Sequence, residues 1–262
     1  MKKVRMFVAS FAAVLMLAGT GSAVMTNTSG DQPLIHSGHV LTSPAVTSVG
    51  RILYAPSEDD DPAYRAAISA AAGGAVVDYF DARVATPDLP LLREYDCVHT
   101  WANYPYADNV LFGDNLAEYV DIGGHVVLGV FCTFTLGNYL SGAIMTPAYS
   151  PVVSPSGSNH YSYSAYDGHG TTCIHSGVSA YGSSYRDMLA LQGGGLVAGN
   201  FQDGEIAHAY RPDFAVVYSN GSGGYPIYGD GDWPLLLANS CACDGSTAVE
   251  ETTWGRVKTF FR

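Results

Sequence analysis

The sequence predicts an α/β fold with a doubly wound, mostly parallel sheet, additional C-terminal strands and a long loop excursion. Three observations predict it. Between residues 51 and 131, short apolar runs and two helical segments follow one another as strand, helix, strand, strand, helix, strand. The runs are apolar throughout, as in strands that are buried on both faces of a parallel sheet. The later part of the chain changes to Gly, Ser and Tyr, with short segments between tight turns.

The first strand and helix have the clearest boundaries. The run RILYA, residues 51–55, is a short apolar segment before a proline and predicts a buried strand. The next helix takes Asp61 as its N-cap and Pro62 as its first residue, because proline tolerates the first helical turn. An alanine-rich body follows, and the glycine pair 73–74 ends the helix.

The next elements repeat this pattern. Three apolar runs predict the second, third and fourth strands: AVVDYFD (75–81), YDCVHTW (95–101) and HVVLGVF (125–131). The segment LFGDNLAEYVDIGG predicts a second helix, with Asp114 near its start and a glycine pair at its end. Apolar strands joined in this way must be covered on both faces, so we expect a flavodoxin-like core.

The second half of the sequence predicts loops and short strands in place of the alternating strands and helices. Residues 136–170 lack helical periodicity and predict an excursion over the strand ends. From Tyr185 onward, short segments separated by QGGG, QDG and RPD predict successive strands with tight turns. The segment GDWPLLLANSCAC predicts a closing helix that Asp232 can cap, and WGRVKTFFR predicts a terminal element.

The N-terminus has the pattern of a secretory signal peptide. Two lysines and an arginine precede an uncharged apolar run, residues 6–18, and small residues follow as far as Ala23. The run is shorter than the roughly 20 residues that span a bilayer core. We therefore expect a signal peptide over 1–23, a leader segment over 24–50 and the α/β domain over 51–262. The expected location is secreted, extracellular or periplasmic, without membrane insertion after cleavage.

Charge restricts the partners. The formal net charge is −12, and the predicted signal peptide contains none of the acidic residues, so nucleic acid and anionic membranes are poor partners. Only 14% of residues are charged, while the chain has 18 tyrosines and 30 glycines, so its surface polarity must come from hydroxyl and amide groups. Such a surface suits an extracellular glycan or another surface protein.

The cysteines leave their pairing open. Their number is odd, so at least one stays free or pairs between chains in an oxidising compartment. The only close pair, CAC, has one residue between the sulfurs and does not have zinc-site spacing. The five positions are Cys97, Cys132, Cys173, Cys241 and Cys243.

Several stretches resemble a known superfamily. They are RILYAPSEDDDPAYRAAI, LREYDCVHTW, LAEYVDIGGHVVLGVF, IHSGVSAY, NFQDGEIAHAY and GDWPLLLANS. Across residues 51–242 the chain resembles the secreted branch of the class I glutamine amidotransferase-like superfamily. The resemblance implies a flavodoxin-like sheet with ligand sites at the carboxyl ends of its strands.

Cys132 is the candidate nucleophile in the stretch GGHVVLGVFCTFTLG. The resemblance implies a cysteine in a strained elbow with small residues two before and two after it, and a His-x-Glu partner near the last strand. Here the flanking residues are Val130 and Phe134, and VVYSNGSGGYPIYGDGDW has neither histidine nor glutamate. We therefore expect Cys132 to be a small buried hydrophobe or a disulfide half. The alternative is a base from elsewhere, for which the candidates are His99, His160, His169 and His175.

Two stretches are candidates for a divalent metal. In SEDDD, Asp59 and Asp60 follow the first strand, where clustered carboxylates can share a cation. The alternative is that these acids favour the helix N-terminus that Asp61 caps. In DGHGTTCIH, an extended chain would place His169, Cys173 and His175 on one face. The alternatives are a solvated histidine and a disulfide at Cys173, and otherwise we expect no cofactor.

Aromatic residues after the third strand are the candidate ligand-binding group. The stretch HTWANYPY would place Trp101, Asn103, Tyr104 and Tyr106 beside the switch point of the sheet. With the tyrosines of NHYSYSAY, their rings suit stacking on sugars, and their polar groups suit hydrogen bonds to hydroxyls. The equal alternative is that these aromatic residues belong to the core.

Three functions follow from these features. The first is a secreted, non-catalytic binding or interaction module with an amidotransferase-like fold, directed at glycans or a cell surface. The second is a hydrolase that uses Cys132 with a histidine from outside the family motif. The third is a structural subunit of an extracellular assembly, which the low charge and the abundance of Gly and Tyr favour.

Overall fold

The computed structural model describes residues 49–170, 172–221 and 229–245. The predicted signal peptide, nearly all of the leader segment and the predicted terminal element lie outside these residues. Within the described ranges, no helix has the length and apolar character needed to cross a bilayer.

The chain has an α/β, flavodoxin-like fold with a mostly parallel central sheet. In chain order the strands are β1 (Arg51–Tyr54), β2 (Val76–Tyr79), β3 (Cys97–Thr100), β4 (His125–Gly129), β5 (Val152–Val153), β6 (Asn159–His160), β7 (Ser164–Ala165), β8 (Tyr181–Ser183), β9 (Arg186–Asp187), β10 (Ala190–Leu191), β11 (Leu196–Asn200), β12 (Ile206–Tyr210), β13 (Val216–Ser219) and β14 (Gly229–Gly231).

The central sheet has seven strands in the order β11-β12-β13-β4-β3-β1-β2. The five strands from β2 to β13 pair in parallel, whereas β12 and β11 add to the end of the sheet as antiparallel strands. Taken alone, the parallel strands have the order 2-1-3-4-5 of flavodoxin-like sheets, so the switch point lies between β1 and β3. The additional C-terminal strands are therefore confirmed.

Four helices cover the two faces of this sheet in the described residues: α1 (Pro62–Ala71), α2 (Leu89–Leu92), α3 (Asn109–Asp121) and α4 (Trp233–Ala242). On one face, α1 and α4 bury Ile68, Trp233 and Leu236 against alternate residues of the strands. On the other face, α2 and α3 bury Leu92 and Phe112. The alternation along a strand sends successive side chains to opposite layers, which explains the unbroken apolar runs.

The helix ends follow local hydrogen bonding. The carboxylate of Asp61 caps α1 by accepting from the Tyr64 backbone N–H at 2.9 Å, as expected. The second long helix begins earlier than the sequence suggested, because Asp108 caps it by accepting from two backbone N–H groups. At the N-cap position of α4, the Asp232 side chain turns away and accepts from the Ser179 and Ala180 backbone N–H groups instead.

The described residues of the excursion between β4 and β11 form short antiparallel pairs and two 3₁₀ turns, Ala143–Met145 and Cys173–His175. The pairs are β5 with β10, β6 with β9, and β7 with β8, which also pairs with β14. The excursion therefore folds back on itself over the carboxyl edge of the sheet.

Two disulfides connect the end of α4 and the residues just after it with other parts of the chain, one with the sheet and one with the excursion. Cys97 at the start of β3 bonds Cys241, and Cys173 bonds Cys243. Cys132 is free and buried. The odd cysteine is thus the one that the resemblance had marked as a nucleophile.

Candidate functional site

The carboxyl edge of the sheet is closed at the switch point. The loops that follow β1 and β3 are joined by backbone hydrogen bonds, from Ser57 N to the Trp101 carbonyl at 2.9 Å and from Tyr104 N to the Ser57 carbonyl at 3.0 Å. The hydroxyl of Ser57 also donates to the Tyr104 carbonyl at 2.6 Å. These bonds join the two loops directly at the switch point of the sheet.

A cleft of about 250 Å³ lies one strand further along, where β3 and β4 end. One side is the chain after β4, and the other is the excursion around β6 and β9. Four aromatic rings and three side-chain amides line the cleft. The lining residues are Ala102, Asn103, Phe131, Phe134, Asn138, Asn159, Tyr161 and Tyr185.

The rings of the cleft contact one another edge to face. The Phe131 and Tyr185 ring centroids are 6.1 Å apart at an interplanar angle of 67°, and the Tyr161 and Tyr185 centroids are 6.0 Å apart at 86°. Phe134 adds a tilted contact to Phe131 at 5.9 Å. Tyr161 remains 66% exposed, so one ring face at the mouth of the cleft is open to a ligand.

The chain leaves β4 through a left-handed turn at Phe131. Its φ of 69° is in the region that favours glycine and that bulky residues rarely adopt. Taking Phe131 as the centre, the residues two before and two after are Gly129 and Thr133, both small. This is the spacing of small residues that tight strand-to-turn elbows have. We call residues 129–133 the elbow; Phe131 is at its centre, and Cys132 is one residue beyond it.

The amide groups of this elbow already bind a carboxylate. Asp187 Oδ2 accepts from the backbone N–H groups of Phe131 at 2.9 Å and Thr133 at 3.4 Å. The Thr133 hydroxyl donates to the same oxygen at 2.7 Å, and the Tyr218 hydroxyl donates to it as well. Backbone N–H groups turned toward one point form a nest for an anion. In this chain the anion is an internal side chain.

The other oxygen of Asp187 faces the cleft wall. The Asn159 amide, with its nitrogen turned toward Asp187, donates to Oδ1 and to the Ser158 carbonyl at 3.2 Å. Backbone pairing between β6 and β9 places Asn159 opposite Asp187. The backbone of Asp187 is fixed in turn by the Asn220 side chain, which accepts from its N–H at 2.7 Å and donates to its carbonyl at 2.9 Å.

Burial and hydrogen bonding act in opposite directions on Asp187. Its side chain is fully buried, which disfavours the charged form, whereas the donors from Tyr218 and Thr133 favour it. Burial is the larger effect and raises the pKa of Asp187 from its ordinary value of 3.8 to about 6. The carboxylate is therefore charged at neutral pH and takes up a proton in mildly acidic solution.

Cys132 lies beneath the elbow in the core. Its sulfur is 3.7 Å from the Tyr106 hydroxyl and 3.8 Å from the Thr100 carbonyl, and the side chain has no exposed surface. Among the described residues, its hydrogen-bond contacts include no imidazole. Burial raises the pKa of the Cys132 thiol to about 12, so the thiolate is scarce at neutral pH.

The aromatic residues that the sequence singled out are divided between core and surface. Trp101 is fully buried and donates to the Tyr54 hydroxyl at 2.9 Å, and Tyr106 is buried beside Cys132. Tyr104 is 48% exposed, but its ring packs under the Arg83 guanidinium, 5.5 Å from the centroid. Of this group, only Asn103 lines the cleft. The core alternative therefore describes Trp101 and Tyr106.

The acidic stretch after β1 is held by arginines. Asp60 forms two hydrogen bonds with Arg65, at 2.7 and 2.8 Å, and Asp59 pairs with Arg83 at 2.6 Å. Asp61 caps α1. In the three described ranges, no group of three or more His, Cys, Asp or Glu side chains has a geometry that could hold a metal ion.

The second metal candidate is not extended, which corrects the expectation of a shared face. Residues 173–175 form a 3₁₀ turn, and the disulfide takes the Cys173 sulfur. His169 is exposed, and its Nδ1 lies 3.6 Å from Asp167. His175 is buried and stacks on Tyr166 at 5.1 Å. The two histidines therefore occupy different environments.

A buried chain of hydrogen bonds was not foreseen from the sequence. The Ser219 hydroxyl is 3.0 Å from His208 Nε2, and His208 Nδ1 is 3.3 Å from the Tyr181 hydroxyl. That hydroxyl is 3.1 Å from His175 Nε2. Burial lowers the pKa of His208 well below its usual value and that of His175 to about 4, so both rings are neutral. Ser219 and His208 have no exposed surface, so this chain of side chains belongs to the core.

Two larger cavities lie away from the elbow. One, of about 450 Å³, is at the amino edge and is bounded by Val49 and Asp244, which adjoin parts of the chain outside the described ranges. The other, of about 400 Å³, is lined by Tyr163, Asp167 and Asp230 and borders Gly231 near another such part. The smaller cleft is bounded by described residues alone and lies at the carboxyl edge.

Comparisons with known proteins concern the fold alone. No protein-family model matches the chain, and no curated protein resembles it significantly. A ThuA-like protein from Bacteroides uniformis ATCC 8492 is similar in structure with a TM-score of 0.47 and 12% identity, over 73% of this chain and 89% of that one. A GMP synthase subunit from Thermoplasma acidophilum has a TM-score of 0.47 and 11% identity, over 74% of this chain and 92% of that one.

Proposed function

We propose that the protein is a secreted, non-catalytic binding module whose aromatic cleft binds a sugar ring of an extracellular glycan. One observation carries the proposal. The elbow that would present a nucleophile presents the ring of Phe131 instead, and the Asp187 carboxylate already occupies its amide groups.

Among the described residues, the groups at the elbow do not have the arrangement that acyl transfer needs. A nucleophile needs a base within hydrogen-bond reach and donors aimed at the developing oxyanion. Phe131 offers no nucleophile, and an oxyanion near the Phe131 and Thr133 amides would meet the negative charge of Asp187. The buried thiol of Cys132 is one residue away and points into the core. This arrangement favours binding over hydrolysis.

The lining of the cleft suits a neutral sugar. Pyranose rings carry CH groups on their faces and hydroxyls around their edges, so they bind to aromatic faces flanked by directional polar groups. Here the faces come from Tyr161, Tyr185 and Phe131. The amides come from Asn103 and Asn138, which are linked by a 2.8 Å hydrogen bond from Asn138 Nδ2 to the Asn103 carbonyl.

The disulfides support secretion. Cys97–Cys241 and Cys173–Cys243 join distant parts of the chain, and such crosslinks persist in oxidising compartments. The signal-like N-terminus points the same way. An extracellular or periplasmic location would bring the cleft to glycans or to another surface protein.

Direct binding measurements test the proposal. The secreted chain is applied to a glycan array, and affinity is measured by calorimetry for cellotetraose, maltotetraose and chitotriose. Y161A and Y185A remove ring faces, and we expect each to weaken binding about tenfold. Y163A is the matched control, because Tyr163 is also exposed but lines another cavity.

Three outcomes would redirect the assignment. Binding that Y161A and Y185A leave unchanged would refute the cleft as the site. Absence of glycan binding, together with particles larger than dimers in light scattering, would favour the structural role. Turnover of an ester or amide substrate that C132A abolishes would favour the hydrolase.

A further inference from the structure

Asp187 joins three separate elements around the cleft. Its Oδ2 atom binds the elbow through Phe131 and Thr133, and it binds β13 through Tyr218. Its Oδ1 atom binds Asn159 on β6, which lines the opposite wall. A single carboxylate therefore connects the wall made by the elbow with the wall made by the excursion.

The charge on this carboxylate has no cation beside it among the described residues. On β9 the neighbouring Arg186 turns its guanidinium to Asp203, at 2.6 Å, and to the Ser162 carbonyl. On β6, His160 pairs with Glu205 at 2.9 Å. The other titratable groups facing Asp187 are the phenol of Tyr218 and the thiol of Cys132, both with pKa values raised by burial. Neutral donors alone hold the anion.

Protonation conflicts with this arrangement. Oδ2 faces two backbone N–H groups, which cannot turn, and two hydroxyls. Oδ1 faces the NH₂ group of Asn159. A proton added to either oxygen would meet a donor, and an unpaired buried donor is costly. Asn159 is the partner that can adapt, because its side-chain amide can rotate and place its oxygen, an acceptor, against a protonated Oδ1.

We infer that Asp187 is a positioning residue for the cleft, and that its ionisation decides which end of the Asn159 amide faces it. The inference rests on the proposed function for its consequence, since the cleft is the proposed sugar site. The Asn159 nitrogen faces the carboxylate when it is charged, and the amide turns its oxygen to Oδ1 when the carboxylate takes up a proton, which changes the polar groups that Asn159 offers to the cleft. The pKa of about 6 places this change in mildly acidic solution.

The variant D187N removes the titratable charge at position 187 and keeps a side chain of the same size. The substituted amide can keep its oxygen toward the elbow and turn its nitrogen toward the side-chain oxygen of Asn159. Every donor then has an acceptor, and nothing titrates. H160Q is the matched control, because the His160 imidazole is on the same strand as Asn159, pairs with Glu205 and does not line the cleft.

NMR of the full secreted chain, labelled with ¹⁵N, tests the inference without a ligand. In the wild type, we expect the backbone amide signals of Phe131 and Thr133 and the side-chain NH₂ signals of Asn159 to shift together, with a midpoint near pH 6. D187N should remove the shift between pH 4.5 and 8, and H160Q should retain it. Signals that do not titrate in the wild type, or that still titrate in D187N, would overturn the inference.

Calorimetry with cellotetraose, maltotetraose and chitotriose at two pH values gives the functional readout. If a sugar binds only the Asn159 orientation that the charged form holds, the competent fraction at pH 5 is about one tenth, so affinity should be about tenfold weaker than at pH 7.5. D187N should bind equally at both pH values. Amide signals that titrate while none of the three sugars binds would refute the glycan function and support the positioning role. Equal wild-type affinity at both pH values would overturn that role.

Discussion

The thiol of Cys132 should be inert in the folded protein. The side chain has no exposed surface, and its contacts are a phenol and a carbonyl. To test this, the thiol reagent DTNB is added at pH 8 to the folded protein with both disulfides intact. The matched variants are C132A, which removes the only free thiol of the described residues, and F131C/C132A, which moves a thiol to the elbow position.

The magnitude follows from the thiolate population. Burial raises the pKa of Cys132 from 9.0 to about 12. At pH 8, a thiol with the ordinary value is about one tenth ionised, whereas Cys132 is about one ten-thousandth ionised, so its thiolate is about a thousandfold scarcer. Exclusion of the reagent by the surrounding core slows the reaction further. In F131C/C132A the thiol faces the cleft and should react at a rate near that of N-acetylcysteine.

The absorbance of the thionitrobenzoate anion that DTNB releases gives the rate of reaction. The wild type should release about one equivalent only after unfolding in urea, and C132A should release none. If Cys132 in the folded protein reacted at a rate within tenfold of that of N-acetylcysteine, its burial would be refuted, and so would its position beneath the elbow.

Three further outcomes test the energetics. For Asp187, the folded pKa lies above the unfolded one, so its contribution to stability is complete below pH 3.8 and is lost as the pH rises through about 6. Urea unfolding should therefore show that the free energy of unfolding of the wild type falls by about 2 kcal/mol relative to that of D187N between pH 4.5 and pH 7.5. A difference between the two proteins that does not change with pH would contradict the raised pKa of Asp187. At φ 69°, F131G should be about 1 kcal/mol more stable than F131A in the same assay, whereas the reverse order would argue against the left-handed turn. Removing the Cys97–Cys241 bond by C97A/C241A should lower the free energy of unfolding by about 3–5 kcal/mol, and an unchanged Tm would show that the bond does not form.

The sequence predicted the sheet well because its signals are local. Apolar runs bounded by glycine and proline mark β1 to β4, and the Asp61–Pro62 pair marks the start of α1. The start of α3 was misplaced because Asp108 and Asp114 are both plausible caps, and only the folded chain shows that Asp114 accepts from Ala143 N in the excursion.

The cleft was only partly predictable. Asn103 and the tyrosines of NHYSYSAY were expected near sugars, and Asn103, Tyr161 and Asn159 do line the cleft. Trp101 was indistinguishable from a surface ring, because burial depends on the partner Tyr54, which is 47 residues away. The role of Asp187 depends on contacts with residues more than 30 positions away, which no local pattern records.

The elbow had a usable signal that the cysteine obscured. Centring the pattern on Cys132 gives bulky neighbours, whereas centring it one residue earlier gives Gly129 and Thr133. Centring the pattern one residue earlier would have placed Phe131, which is not a nucleophile, at the turn.

The two disulfides fix the chain around the end of α4. Cys97–Cys241 joins the start of β3 to α4, and Cys173–Cys243 anchors the excursion at one point. The residues of the excursion that line the cleft, Asn159, Tyr161 and Tyr185, lie more than ten positions from that anchor and are held by noncovalent contacts. Substitutions there can therefore change the lining of the cleft while both crosslinks remain in place.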